Sequence, residues 1–185
     1  MLLLLFSGMP CAGKSTAINI LKEKFKVEVI NMGDLVRKEI KEKNLNIDLR
    51  SYSREIRKKD KSYVAKLCIK ELMKNEKTRE NLKNFVIIDG VRNYEEVEEF
   101  KKFYECILIS IHASPKKRFE RYLSRKRQDD ILDFDGFLKR DIEELSWGLG
   151  NVIALSDLII MNEDDDIEKF KENLIKDIEK FFKLS

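Results

Sequence analysis

Histidine, tryptophan and glutamine each occur once in this 185-residue chain, proline twice and cysteine three times. A single histidine, His112, cannot build a multi-histidine metal site, and it reads as an ordinary residue at a strand end. Cys11, Cys68 and Cys106 are odd in number and form no CxxC pair, which argues against a disulfide framework or a cysteine-rich zinc site and points to a reducing, cytoplasmic setting. Long hydrophobic runs are also missing. The stretch Leu2 to Phe6 is only five residues long and has no basic residue ahead of it, so it fits neither a membrane span nor a signal peptide. Nor does one sign of charge dominate: 37 basic and 34 acidic residues are mixed along the chain for a net +3, without the basic tail of a dedicated nucleic-acid binder. With Gln128 as its one glutamine and no NKxD guanine signature, the chain does not read as a regulatory GTPase. Few glutamines beside abundant Lys and Glu fit a thermophilic source.

What is present suits one domain spanning 1–185. Hydrophobic residues make up 43% and charged residues 38%, enough apolar material for a core and too much charge for a membrane protein. Short apolar runs at Leu2 to Ser7, Val27 to Ile30, Phe85 to Ile88, Cys106 to Ile111 and Leu158 to Met161 alternate with helix-length amphipathic segments. That alternation predicts an α/β fold, a five-stranded parallel sheet covered on both faces. Ile167, Phe170, Leu174, Ile178 and Phe182 fall on one side of a last helix, which should pack on the sheet. Residues 38–81 and 113–141 exceed the bare pattern. Neither is rich in proline or glycine, no internal repeat occurs, and both read as lids rather than linkers.

The stretch GMPCAGKST, Gly8 to Thr16, follows the first strand and opens a helix. Its pattern G-x-x-x-x-G-K-[ST] is met by Gly8, Gly13, Lys14 and Ser15. Glycines let the backbone N–H groups curl around phosphate, and the helix N-terminus adds the positive end of its dipole. Lys14 reaches the terminal phosphates of ATP and the Ser15 hydroxyl ligates Mg²⁺, with Ala12 and Thr16 completing the cradle. Cys11, inside the loop beside Lys14, is either an activated thiolate or an inert small residue.

Two further loops sit at the same sheet edge. After the second strand, NMGDLVRKEI offers Gly33 for a tight turn, Asp34 as a helix cap and Arg37 on the first turn. After the third, FVIIDGVRN offers Asp89 at the strand end, Gly90 as the turn and Arg92 beyond it. Loops at the carboxyl edge of a parallel sheet surround its ligand. Two planar guanidiniums there suit a second phosphate, and Asp89 with Asp34 can share Mg²⁺.

In that order, GMPCAGKST, GDLVR and DGVR resemble motifs of adenylate kinases and other nucleoside monophosphate kinases. The resemblance gives Arg37 and Arg92 the phosphate of AMP. RYLSR, with Arg121 and Arg125, looks like the start of the family's lid, RQDD from Arg127 to Asp130 like its end, and Arg140 like a further phosphate-binding arginine. No cysteine lies in this short lid, so it is not the zinc-bearing type. Arg118, Arg121 and Arg125 also have helical spacing, so a plain charged helix face is the simpler alternative. SDLIIMNEDD resembles the last strand and loop of dephospho-CoA kinases and guanylate kinases, which puts Asn162 near the adenine. Asp-Gly-Val-Arg stands where adenylate kinases carry Asp-Gly-Phe-Pro-Arg, and ELSWGLGN, Glu144 to Asn151, has no counterpart there. Together with IHASPKKRFERYLSRKR, these features resemble an archaeal family of adenylate-kinase-related proteins.

The resulting expectation is a P-loop three-layer αβα kinase with an acceptor-binding insert at about 38–81 and a lid at about 113–141. It transfers phosphate from ATP·Mg²⁺ to a nucleoside monophosphate such as AMP, as a monomer or small homo-oligomer. A hydroxyl-directed kinase such as dephospho-CoA kinase is the alternative within enzymes, and a nucleotide-sensing ATPase serving a protein or RNA partner is the alternative of another class.

Overall fold

The computed structural model describes residues 1–74, 85–125 and 133–184. Its strands are β1 (Leu2–Ser7), β2 (Glu28–Asn31), β3 (Phe85–Asp89), β4 (Glu105–His112) and β5 (Leu158–Met161). Its described helices are α1 (Lys14–Phe25), α2 (Met32–Glu42), α3 (Leu49–Lys59), α4 (Tyr63–Lys74), α5 (Tyr94–Lys101), α6 (Pro115–Arg125), α7 (Phe134–Ser146), α8 (Leu149–Ala154) and α9 (Ile167–Leu184).

Successive side chains of a strand point to opposite faces, and in β1 both sets are apolar. Leu3 and Leu5 join one core, Leu4 and Phe6 the other. A strand of this kind needs a layer on each side. On the first face lie Val36 of α2, Ile56 of α3, Leu72 of α4, Phe100 of α5 and Val152 of α8; on the second lie Leu21 of α1 and Phe170, Leu174 and Ile178 of α9. The result is the three-layer αβα sheet that the apolar runs predict. Burying each of the four side chains from Leu3 to Phe6 contributes roughly 1.5–3 kcal/mol, so the strand that delivers the phosphate loop is firmly held.

All strands run parallel in the order β2-β3-β1-β4-β5. From β1 the chain first builds one side of the sheet and then the other, which places the topological switch, and the expected ligand crevice, at the carboxyl end of β1. There Phe6 pairs with Asp89 and Ile109, and Asn31 with Asp89. The strand ends depart slightly from the apolar runs. β2 is shifted on by one residue and β3 and β4 are longer, because ladder hydrogen bonds are made by backbone and admit polar ends such as Asn31, Asp89 and His112. Ile167, at the start of α9, is exposed, while Phe170, Leu174 and Ile178 of its apolar stripe are buried and Phe182 is partly buried.

Helices α6 and α7 are joined outside the two cores by their own ring cluster. Phe119 and Tyr122 of α6 meet Phe137 of α7 at 5.3 and 5.7 Å, and Phe134 packs edge-on to Phe119 at 5.4 Å.

Candidate functional site

Two positions explain the spacing of the phosphate loop. Gly8 has φ 146° and Gly13 φ 95°. A Cβ at Gly8 would lie 2.4 Å from the Ile111 carbonyl oxygen, and one at Gly13 2.1 Å from Asn162 Nδ2. At Gly8 both conformation and space demand glycine; at Gly13 the positive φ does, and a side chain would also displace the Asn162 amide. Gly13 is the N-cap of α1 and offers no side-chain cap, so the first amides of that helix are left for a ligand.

The loop's carbonyls are held from outside. Asn162, itself buried, donates through Nδ2 to the Ala12 carbonyl at 2.9 Å. Arg121 donates in turn to the Asn162 carbonyl at 3.0 Å and side-chain oxygen at 3.3 Å. Arg118, only 4% exposed, donates to the carbonyls of Pro10 at 3.3 Å and Ala113 at 3.2 Å, and grips Asp141 of α7 with two hydrogen bonds of 2.8 and 2.7 Å. A buried, paired arginine thus links α6, α7 and the loop.

Lys14 forms an ion pair with Asp89, which also accepts a 2.7 Å hydrogen bond from Asn31 Nδ2. After β3 the chain turns at Gly90, φ 105°, tied to β1 by a 3.1 Å bond from the Gly90 amide to the Phe6 carbonyl. Arg92 follows. Its amide donates to Glu96 at 2.8 Å, its guanidinium donates to Glu144 of α7 at 2.9 Å, and the same guanidinium lies 5.0 Å from the centre of the Trp147 ring.

These parts enclose a cavity of about 510 Å³ lined by Gly8 to Thr16, Gly90, Arg92, Arg121, Arg140 and Glu144, among others. The loop residues Gly8, Ala12, Gly13, Lys14, Ser15 and Thr16 are thereby brought together with three of the arginines picked from the sequence. Asp89 reaches the cavity through Lys14, and Asn162 sits beneath the loop. The structure does not bring Gly33, Asp34 and Arg37 into this lining. Helix α2 begins at Met32 with Asn31 as its cap, the Asp34 amide donating to Asn31 Oδ1 at 3.1 Å. Gly33 therefore lies within the helix instead of a turn, and Asp34 is not the cap. Arg37 pairs with Asp34 one turn away at 2.6 Å, and both side chains are more than half exposed. Arg125 ends α6 with only its backbone described, and Arg127 lies outside the described residues.

Sequence reasoning missed Asn31, Arg118, Asp141 and Glu144. Arg118 was visible only as part of a charged helix face. Its partner stands next to Arg140, a proximity that the helix period offers but does not single out. Among the described residues no group of three or more His, Cys, Asp or Glu side chains is placed to hold a metal ion. Mg²⁺ commonly takes one or two protein ligands and completes its shell with phosphate and water; Ser15 in the cavity lining and Asp89 at the end of β3 are oxygen donors of that kind, Asp89 being held by Lys14 and Asn31 in this structure.

A family model described as an AAA domain matches residues 7–135. A UPF0200 protein of Sulfurisphaera tokodaii is 45% identical over 179 residues, covering 93% of this chain and 94% of that protein. A UPF0200 protein of Methanocaldococcus jannaschii is 34% identical over 193 residues, covering 99% of this chain and 95% of its own. The crystal structure of TT1252 from Thermus thermophilus superposes with a TM-score of 0.68, covering 97% of this chain and 96% of that one at 17% identity, a likeness of fold. No described helix is long and apolar enough to cross a membrane. The chain thus belongs to the UPF0200 family of archaeal proteins and carries a P-loop kinase-like AAA domain, a nucleotide-binding domain of the phosphoryl-transfer type.

Proposed function

We propose that the protein transfers the terminal phosphoryl group of ATP, bound with Mg²⁺, to a nucleoside monophosphate, with AMP as the first candidate. The observation that carries this reading is the presence of Arg92, Arg121 and Arg140 around the same cavity as the phosphate loop. A transferring phosphoryl group spreads negative charge over its oxygens, so catalysis rests on positioned cations. The Gly8 to Thr16 loop holds the donor phosphates. Lys14 exchanges Asp89 for the terminal phosphates; Ser15 and the released Asp89 would hold Mg²⁺, which would supply neutralisation of phosphate charge. Arg92 takes the acceptor phosphate, while Arg121 and Arg140 face the transferring group. In this reading the whole chain, 1–185, is one kinase domain, with an acceptor-side insert at about 38–81 and a lid at about 113–141.

A hydroxyl acceptor needs a carboxylate base. Asp34, the residue that sequence offers for this, lies on the exposed side of α2 beside Arg37, and Asp89, once Lys14 leaves it, is committed to Mg²⁺ in this reading. Both facts favour an acceptor that is already anionic. The clamp then rests on Arg92, with Arg37 joining only if it leaves Asp34.

The test is to incubate pure protein with ATP·Mg²⁺ and separate nucleoside monophosphates, nucleosides and dephospho-CoA, and then to resolve the products. AMP should be phosphorylated, Lys14→Ala should lower turnover on the order of a hundredfold, and Arg92→Ala should raise the KM for AMP roughly tenfold or more while changing that for ATP little. Release of ADP and phosphate with no acceptor modified would leave an ATPase in place of the kinase.

A further inference from the structure

Behind Arg92 lies a second cavity, of about 590 Å³, that the roles above do not use. Arg54, Arg57 and Lys58 of α3, Lys61 just beyond it, and Lys139 and Trp147 at α7 form most of its wall. Five cations thus face one another across a gap. The one carboxylate in the lining, Glu143, is shared by Arg54 at 2.7 Å and Arg50 at 3.6 Å. Arg57 is buried against Glu96 at 2.8 Å, and Lys61 reaches Glu95 at 2.5 Å. Lys58 and Lys139 are both exposed and have neither ion pair nor hydrogen bond among the described residues.

Three of the five cations have a carboxylate partner, and the charge left unbalanced, that of Lys58 and Lys139 in the cavity lining, asks for an anion. The cavity has the volume of a small-molecule site, and the chain has no extended basic tract, which favours a small ligand over a polymer. Trp147 adds an aromatic surface, with the Arg57 guanidinium 5.7 Å from its ring centre, so a planar ring beside the anionic groups matches the wall.

We propose that this second cavity binds a small, multiply anionic ligand with a planar ring, the class of nucleoside bisphosphates and polyphosphates. Its anionic groups meet Lys58, Lys139 and Arg54, and its ring lies at Trp147. Trp147 also touches Arg92 of the first cavity, so occupancy of one site is felt at the other. This site does not depend on which acceptor the first cavity uses.

Adenosine 3′,5′-bisphosphate is the probe, with binding read by calorimetry and by emission of Trp147, the only tryptophan. Wild type should bind it and shift its emission. Lys58→Ala/Lys139→Ala should weaken binding on the order of a hundredfold, as two charge-assisted contacts are lost, with thermal stability unchanged because both side chains are exposed. Lys14→Ala should leave the affinity within about twofold, since it lies in the other cavity; transfer activity is not read, so failure of the kinase reading and failure of this one are separate results. Equal affinity for adenosine or for pyrophosphate would overturn the proposal by removing the role of charge or of ring. So would an intact double variant beside a crippled Lys14→Ala, or binding of an oligonucleotide but not of the bisphosphate.

Discussion

Cys11 shows how far one residue's chemistry depends on its backbone. It holds φ 64° inside the phosphate loop, a conformation that residues other than glycine seldom adopt, and it lines the nucleotide cavity. Cys68 is fully buried in the first core, and burial pushes the Cys106 thiol up to about 12. A thiolate is the reactive form, so Cys106 carries almost none at neutral pH. A thiol reagent should therefore label Cys11 well ahead of the other two, and ATP·Mg²⁺ should protect it. Equal labelling at all three positions, read by mass spectrometry of peptides, would reject this. The loop itself was legible in the sequence because its constraint is local: two glycines at a fixed distance satisfy two special backbone positions. Asp34 and Arg37 were less so. The direction of a helical side chain turns by about 100° per residue, and α2 starts at Met32, ahead of the cap the sequence suggested, which leaves the pair on the solvent side.

Between elements, the contact with most at stake is the one sequence reasoning passed over. Arg118 of α6 and Asp141 of α7 are both nearly buried and bonded twice to each other. Removing one partner of such a pair strands a charge and costs roughly 3–5 kcal/mol. Arg118→Ala should lower the melting temperature strongly, whereas Arg118→Met with Asp141→Leu should restore much of it. The double variant still lacks the bond to the Pro10 carbonyl, so ATP affinity should stay reduced; recovery of both properties would show that the arginine holds the two helices and not the loop. The strands, by contrast, were read from sequence almost to the residue, since buried parallel strands announce themselves as apolar runs. A buried ion pair between two charged helices looks in sequence like any other solvated face.

At the scale of the whole molecule, nucleotide binding should appear as stability. A ligand at a hundred times its Kd adds about 2.7 kcal/mol, which for a chain of this size raises the melting temperature by roughly 5–10 °C. ATP·Mg²⁺ should give such a rise in calorimetry, and Lys14→Ala should remove most of it; an unchanged melting curve in saturating ATP·Mg²⁺ would argue against the loop as a nucleotide site. The sheet order, with β1 at the switch point, is what gathers loop, Asp89 and Arg92 at one edge. Helix α7 then closes that edge in an uncommon way. Arg140 and Glu144 line the first cavity, while their chain neighbours Lys139 and Glu143 line the second. The helix is a party wall between two rooms. Rolling it to widen one room narrows the other, so the two can be refitted separately only by exchanging side chains, never by moving the wall.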